Sequence, residues 1–117
     1  MNKEKIFEVS SRDSGNIKEL IGKVINIDNL EESIDEGDCC GYADIEVLKN
    51  TFEGDVLITN VETEDDGSDD YYDGSESVLV TFYGANKQIY QANLYDGSGS
   101  GWDYGAVATL SVKLVEK

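Results

Sequence analysis

The sequence predicts a mainly β protein, α+β at the margin: an antiparallel sheet forming a small sandwich or barrel of about six strands, with one short N-terminal helix. Three observations lead there. Segments rich in β-branched residues or alternating apolar and polar residues recur at regular intervals. Gly, Asn, Asp or Ser bounds each of them. Only one segment carries a convincing apolar stripe at helical spacing. With 117 residues, 39% of them hydrophobic, the chain reads as one domain, long enough to bury roughly two thirds of its unfolded surface without disulfides or metals.

Residues 6–9 read as a first strand and 11–15 as a loop. Ile17, Leu20 and Ile21 then stand at i, i+3 and i+4, which predicts a helix with Ser14 or Asn16 as N-cap and Gly22 as its stop. A second, weaker helix is expected over 29–36, where Glu31 and Glu32 suit a helix N-terminus. Residues 23–28, 41–48, 54–63, 77–83, 88–95 and 107–115 read as strands. In the last of these Ala106, Ala108, Leu110, Val112 and Leu114 share one face and Thr109, Ser111 and Lys113 the other, so one side meets a core. Gly84-Ala85-Asn86-Lys87 joins two strands as a hairpin. The second strand of that hairpin, 88–95, is a candidate exposed edge through which two copies would pair. Residues 64–77 are expected to be a long acidic hairpin loop.

Charge supplies the most distinctive signal. The chain has 25 Asp+Glu, 9 Lys+Arg and a net charge of −16. Residues 24–76 hold eighteen of the acids and one base, Lys49, while the two flanks are nearly neutral. Clustered acids usually mark solvated or disordered chain, and an acidic surface keeps small proteins soluble. Here the acids alternate with strand-forming residues, as in Asp44-Ile45-Glu46-Val47, which predicts a rigid acidic face. Segregation favours a binding surface over a solubility device, since solubility gives no reason to leave both flanks neutral.

Several chemistries are excluded or weakened. The chain has no His and two Cys, so the usual zinc ligand sets and imidazole-based acid–base or triad chemistry are missing. Cys39 and Cys40 are adjacent, which strains a bridge between them, and Glu36, Asp38 and Asp44 disfavour a thiolate. Carboxylate pairs of the glycosidase type are too abundant here to single one out. The glycine-rich segment 97–105 fits neither dinucleotide nor Walker spacing in any register. With Gly67 at the sixth position, Glu62, Glu64, Asp66 and Asp73 come near the calcium-loop pattern, but both terminal acids are exchanged and the flanks are strands. No cofactor and no metal are therefore expected, a calcium-binding β-domain remaining as a second alternative. No apolar run approaches the ~20 residues of a membrane helix, and the first residues lack the apolar core of a secretory signal. The expected location is cytoplasmic.

The function expected is that of a non-enzymatic inhibitor. Acids at alternate strand positions project to one side about 6.8 Å apart, and rows of carboxylates at such spacing can occupy a positively charged groove built for nucleic acid. Asp44, Glu46, Glu62, Glu64, Asp65, Asp66, Asp69, Asp70 and Asp73 are the candidate phosphate surrogates, with Tyr71 and Tyr72 adding contact area. Trp102 and Tyr104, on or beside the glycine-rich connection, are candidate interface anchors. The partner expected is a basic protein such as a nuclease or CRISPR effector of a prokaryote, with no direct binding to nucleic acid or membrane. In size, strand content and charge layout the chain is similar to phage-encoded or mobile-element inhibitors of defence nucleases, anti-CRISPR proteins among them, and to immunity proteins that neutralise nuclease toxins. The second likeness implies the alternative function, a protein-binding module that recognises its partner by shape through Trp102, Tyr104 and adjoining strand surface.

Overall fold

The computed structural model describes residues 3–11, 13–35, 42–65, 76–97 and 107–116. Among the described residues nine strands run in chain order: β1 (Lys3–Ser10), β2 (Val24–Ile25), β3 (Leu30–Asp35), β4 (Tyr42–Asn50), β5 (Val56–Leu57), β6 (Asn60–Asp65), β7 (Glu76–Gly84), β8 (Lys87–Gly97) and β9 (Val107–Glu116). They form a three-stranded sheet in the order β1-β9-β3, a four-stranded sheet in the order β4-β8-β7-β6, and a two-stranded ribbon, β2-β5. Every pairing is antiparallel. The larger sheets face each other as an open sandwich, which settles the expected choice between sandwich and barrel. Among the described residues no helix is long and apolar enough to cross a membrane.

The period of two builds the core. Ala108, Leu110 and Val112 of β9 are fully buried, as are Phe7 and Val9 of β1 to within 1%. Opposite them stand Val78, Val80 and Phe82 of β7, Tyr90, Ala92 and Leu94 of β8, and Val61 of β6. Burying a side chain such as Phe or Leu is worth roughly 1.5–3 kcal/mol. Phe82 and Tyr90 are cross-strand neighbours, with ring centroids 5.5 Å apart. The β7–β8 hairpin closes through Ala85 (φ 52°) and Asn86 (φ 64°), the two consecutive left-handed residues of a tight two-residue turn.

The N-terminal helix is not present. Residues Ile17–Leu20 make a four-residue 3-10 turn instead. Three residues per turn put positions i and i+3 on one face, so Ile17 and Leu20 are buried while Ile21 is 46% exposed. Asn16, expected as a cap, makes no side-chain cap bond. Its side chain clips β1, the Oδ1 accepting from Glu8 N at 2.7 Å and the Nδ2 donating to Ile6 O at 3.2 Å.

The second expected helix is also replaced. Asn26 opens a capping-box 3-10 turn over Ile27–Asn29, and β3 follows. Leu30, Glu32 and Ile34 pair opposite Val112, Leu110 and Ala108 of β9, so this stretch has the period of a strand. The strand expected over 54–63 is two strands: β5 pairs with β2 and β6 with β7. The switch occurs at Ile58 and Thr59, where Ile58 N donates to Lys23 O at 2.9 Å and Thr59 N to Tyr83 O at 2.8 Å. Nor is β8 an edge. It lies between β4 and β7, so it offers no free side for pairing two copies.

A buried polar link crosses the sandwich. Asp96 of β8 and Ser11, just after β1, are each only 1% exposed. The Ser11 hydroxyl donates to Asp96 Oδ2 and accepts from Ala108 N of β9 at 3.1 Å. Alternation from Tyr90 through Leu94 carries Asp96 to the inner face, where Ser11 supplies a hydrogen-bond donor to the buried carboxylate.

Candidate functional site: the open face of the four-stranded sheet

The outward face of the four-stranded sheet gathers four of the sequence-predicted residues. Asp44 and Glu46 lie on β4 at one edge, Glu62 and Glu64 on β6 at the other, all exposed. Register sets them in rungs. Glu46, Asn93, Leu79 and Glu64 form one row across all four strands, and Gln91, Thr81 and Glu62 form another beside it. Asp44, Tyr95 and Ser77 make a third.

With strands about 4.8 Å apart, three steps separate the two acid rows by roughly 14 Å, and acids within each row are about 6.8 Å apart. Between them runs a polar strip of Gln91, Asn93, Tyr95, Thr81 and Tyr83, most of it half-buried. A residue is added in β8 at Ile89, where the register shifts, and it brings Gln88 alongside Tyr83. A depression of about 330 Å³ opens there, lined by Glu62, Glu64, Leu79, Tyr83, Gln88 and Gln91 among others.

The strip is held by its own hydrogen bonds. Gln91 Nε2 donates to Thr81 Oγ1 at 3.1 Å, and the Tyr95 hydroxyl donates to Asp44 Oδ2 at 3.4 Å. Asp44 Oδ1 also accepts from Ile45 N at 2.8 Å. The Tyr83 hydroxyl is held above its ordinary pKa chiefly by its hydrogen bond to Glu62, with Gln88 pulling the other way. Such fixed carboxylates keep their places when a cationic partner approaches, which lowers the ordering cost of binding.

The acidic block does not form one surface. Glu31 and Glu32 belong to β3 and hence to the other sheet. Asp65 ends β6 opposite Val78. Asp66, Asp69, Asp70, Tyr71, Tyr72, Asp73, Trp102 and Tyr104 lie outside the described residues, as does most of the segment tested against the calcium pattern. Within the described part of that segment, Glu62 and Glu64 sit on a paired strand. Sequence reasoning does not single out Gln88, Gln91, Asn93, Tyr83 or Tyr95 as site residues. Period-two alternation in β7 and β8 was the signal for them, since it sets them opposite the core positions.

The fold and this face define an antiparallel β-sandwich whose open sheet is edged on both sides by carboxylates. No family model matches the chain, and no curated protein and no solved structure matches it either.

Proposed function

We propose that the protein is a non-enzymatic, acidic binding module that occupies the positively charged nucleic-acid groove of a prokaryotic enzyme, acting as an inhibitor of the anti-CRISPR-like, phage or mobile-element kind. The observation that carries the reading is the pair of carboxylate rows, Asp44 and Glu46 against Glu62 and Glu64, on two edges of one rigid face. Their separation of roughly 14 Å is comparable to the ~12 Å width of a DNA major groove. A Lys- and Arg-lined channel would meet them as it meets two phosphate backbones, with fast, salt-sensitive association. A face of carboxylates, amides and tyrosines, in a chain with no His, suits recognition better than acid–base catalysis.

The test is a pull-down from bacterial lysate on the intact protein at low and moderate salt, with bound proteins identified by mass spectrometry. Support requires a nucleic-acid enzyme that salt releases, that DNA or guide RNA competes away, and that is inhibited in a cleavage assay. A partner retained at moderate salt and indifferent to nucleic acid would overturn mimicry and favour recognition by shape.

A further inference from the structure

The three-stranded sheet has two outer edges, and they are built differently. Along β1 the side chain of Asn16 stands where a neighbouring strand would, bonding Glu8 N and Ile6 O. Along β3 no described strand pairs on the side away from β9, and five of its six residues are exposed. Unpaired N–H and C=O groups along such an edge are a template for an added strand.

Beside this edge the sandwich opens. Between β3 and β4 lies a cavity of about 470 Å³ lined by Ile27, Leu30, Glu31, Glu32, Val47 and Tyr90 among others. Ile27 and Val47 are 41% and 42% exposed, and Ile34 further along β3 is 44% exposed. Register decides which way the acids point. Leu30, Glu32 and Ile34 pair with the buried residues Val112, Leu110 and Ala108, so Glu32 lies on the core-facing side of β3 between two apolar neighbours. Glu31 falls on the outer side and pairs with Lys113 Nζ at 3.5 Å. Glu32 and Tyr90 line the same cavity, which places Glu32 at the mouth of the core; burial, and secondarily the charge of Glu32, pushes the Tyr90 hydroxyl up to about 12.

An inward charge at an edge deters self-pairing: two copies of β3 would bring like charges together. The same charge selects a different occupant. We propose that the mouth between β3 and β4 docks an extended segment of a partner protein that adds a strand to β3 and presents, on its inner face, an apolar residue, a Lys or Arg, and a second apolar residue at alternate positions. The apolar pair would sit opposite Leu30 and Ile34, over Ile27 and Val47, and the cation opposite Glu32. Charge complementarity with a chain of net charge −16 favours a basic segment overall, and the apolar floor separates this site from a simple cation sink. The site is distinct from the open face of the other sheet and does not depend on the function proposed for that face.

The probe is the peptide acetyl-Lys-Val-Thr-Lys-Thr-Val-Lys-amide, titrated into the full-length, 15N-labelled protein and followed by amide chemical shifts. Saturable shifts at Leu30, Glu32, Ile34 and Val47 are expected, with at least tenfold weaker binding of a scrambled peptide of equal charge. Glu32→Lys should weaken binding at least tenfold, and changing the central Lys of the peptide to Glu should restore it on that variant. Glu32→Gln, with its melting curve recorded, guards against loss of fold. The doubly substituted Glu46→Lys/Glu64→Lys protein should bind the peptide within twofold of the original, independently of whether the open face functions as proposed. Equal binding of the scrambled peptide, shifts centred on Glu46 and Glu64, no charge-swap rescue, or no binding at millimolar peptide would each overturn the proposal.

Discussion

Replacing Ser11 by Ala removes one hydroxyl and takes one hydrogen bond from each of two buried groups. Asp96 loses the donor to its Oδ2 and Ala108 N loses its acceptor, at a place where Ser11 and Asp96 are each 1% exposed. A hydrogen bond to a charged group contributes about 1.5–3 kcal/mol, and a buried N–H left unsatisfied costs about 1–3 kcal/mol. The variant should therefore lose about 2.5–6 kcal/mol, a large part of the roughly 5–15 kcal/mol that holds a domain together. At about 4 °C per kcal/mol for a chain of this length, Tm should fall by about 10–24 °C. Urea unfolding followed by circular dichroism gives the free energy directly, with an unchanged m-value as the check that the two states are the same. Asp96→Asn keeps an acceptor for the hydroxyl, and the double mutant should cost less than the sum of the singles. A loss below 1 kcal/mol for Ser11→Ala, with m unchanged, would mean that the Ser11 hydroxyl does not stabilise this part of the core.

Three further outcomes follow from the geometry. Because the folded-state pKa of Tyr90 is raised to about 12 while an unfolded tyrosine titrates near 10, the folded state holds this proton more tightly. The resulting stability is complete below pH ~10 and is lost as pH rises toward ~12, by roughly 1–2 kcal/mol after discounting for water at the cavity mouth; Tyr90→Phe should lack this component in urea titrations across that range. Gly15 has φ +56°, and an added Cβ would overlap the Glu8 carbonyl oxygen, so Gly15→Ala should cost about 2 kcal/mol or more in the same assay. Glu62→Gln should bring the Tyr83 pKa down toward its ordinary value, since the hydrogen bond to Glu62 is the main cause of its elevation; a titration at 295 nm, with Tyr83→Phe to assign the signal, reads this.

The strands were legible wherever the local pattern carried the answer. β9 shows its buried face as Ala108, Leu110 and Val112, and the β7–β8 hairpin announces its turn at Ala85 and Asn86. Ambiguity began where one pattern serves two structures. Ile17 and Leu20 suit a 3-10 turn as well as an α-helix, and the 3-10 turn found starts beside Asn16, whose side chain is bound to β1 rather than capping a helix. In β3 the inward Glu32 broke the apolar alternation and hid the strand. Residues 54–63 look continuous, and their division depends on Lys23 and Tyr83 taking the N–H groups of Ile58 and Thr59, partners remote in sequence. The site follows the same rule. Alternation put Asp44 with Glu46 and Glu62 with Glu64, but placing the two pairs on opposite edges of one sheet requires the order β4-β8-β7-β6, which no local spacing encodes.

The most direct test of the acidic face is charge reversal of Asp44, Glu46, Glu62 and Glu64 to Lys, with affinity for the captured enzyme measured by titration at several salt concentrations and the fold checked by circular dichroism. Binding through phosphate-like carboxylates predicts a loss of at least a hundredfold at low salt and a much shallower salt dependence in the variant. An affinity and salt slope equal to those of the original protein, with the fold intact, would contradict the account.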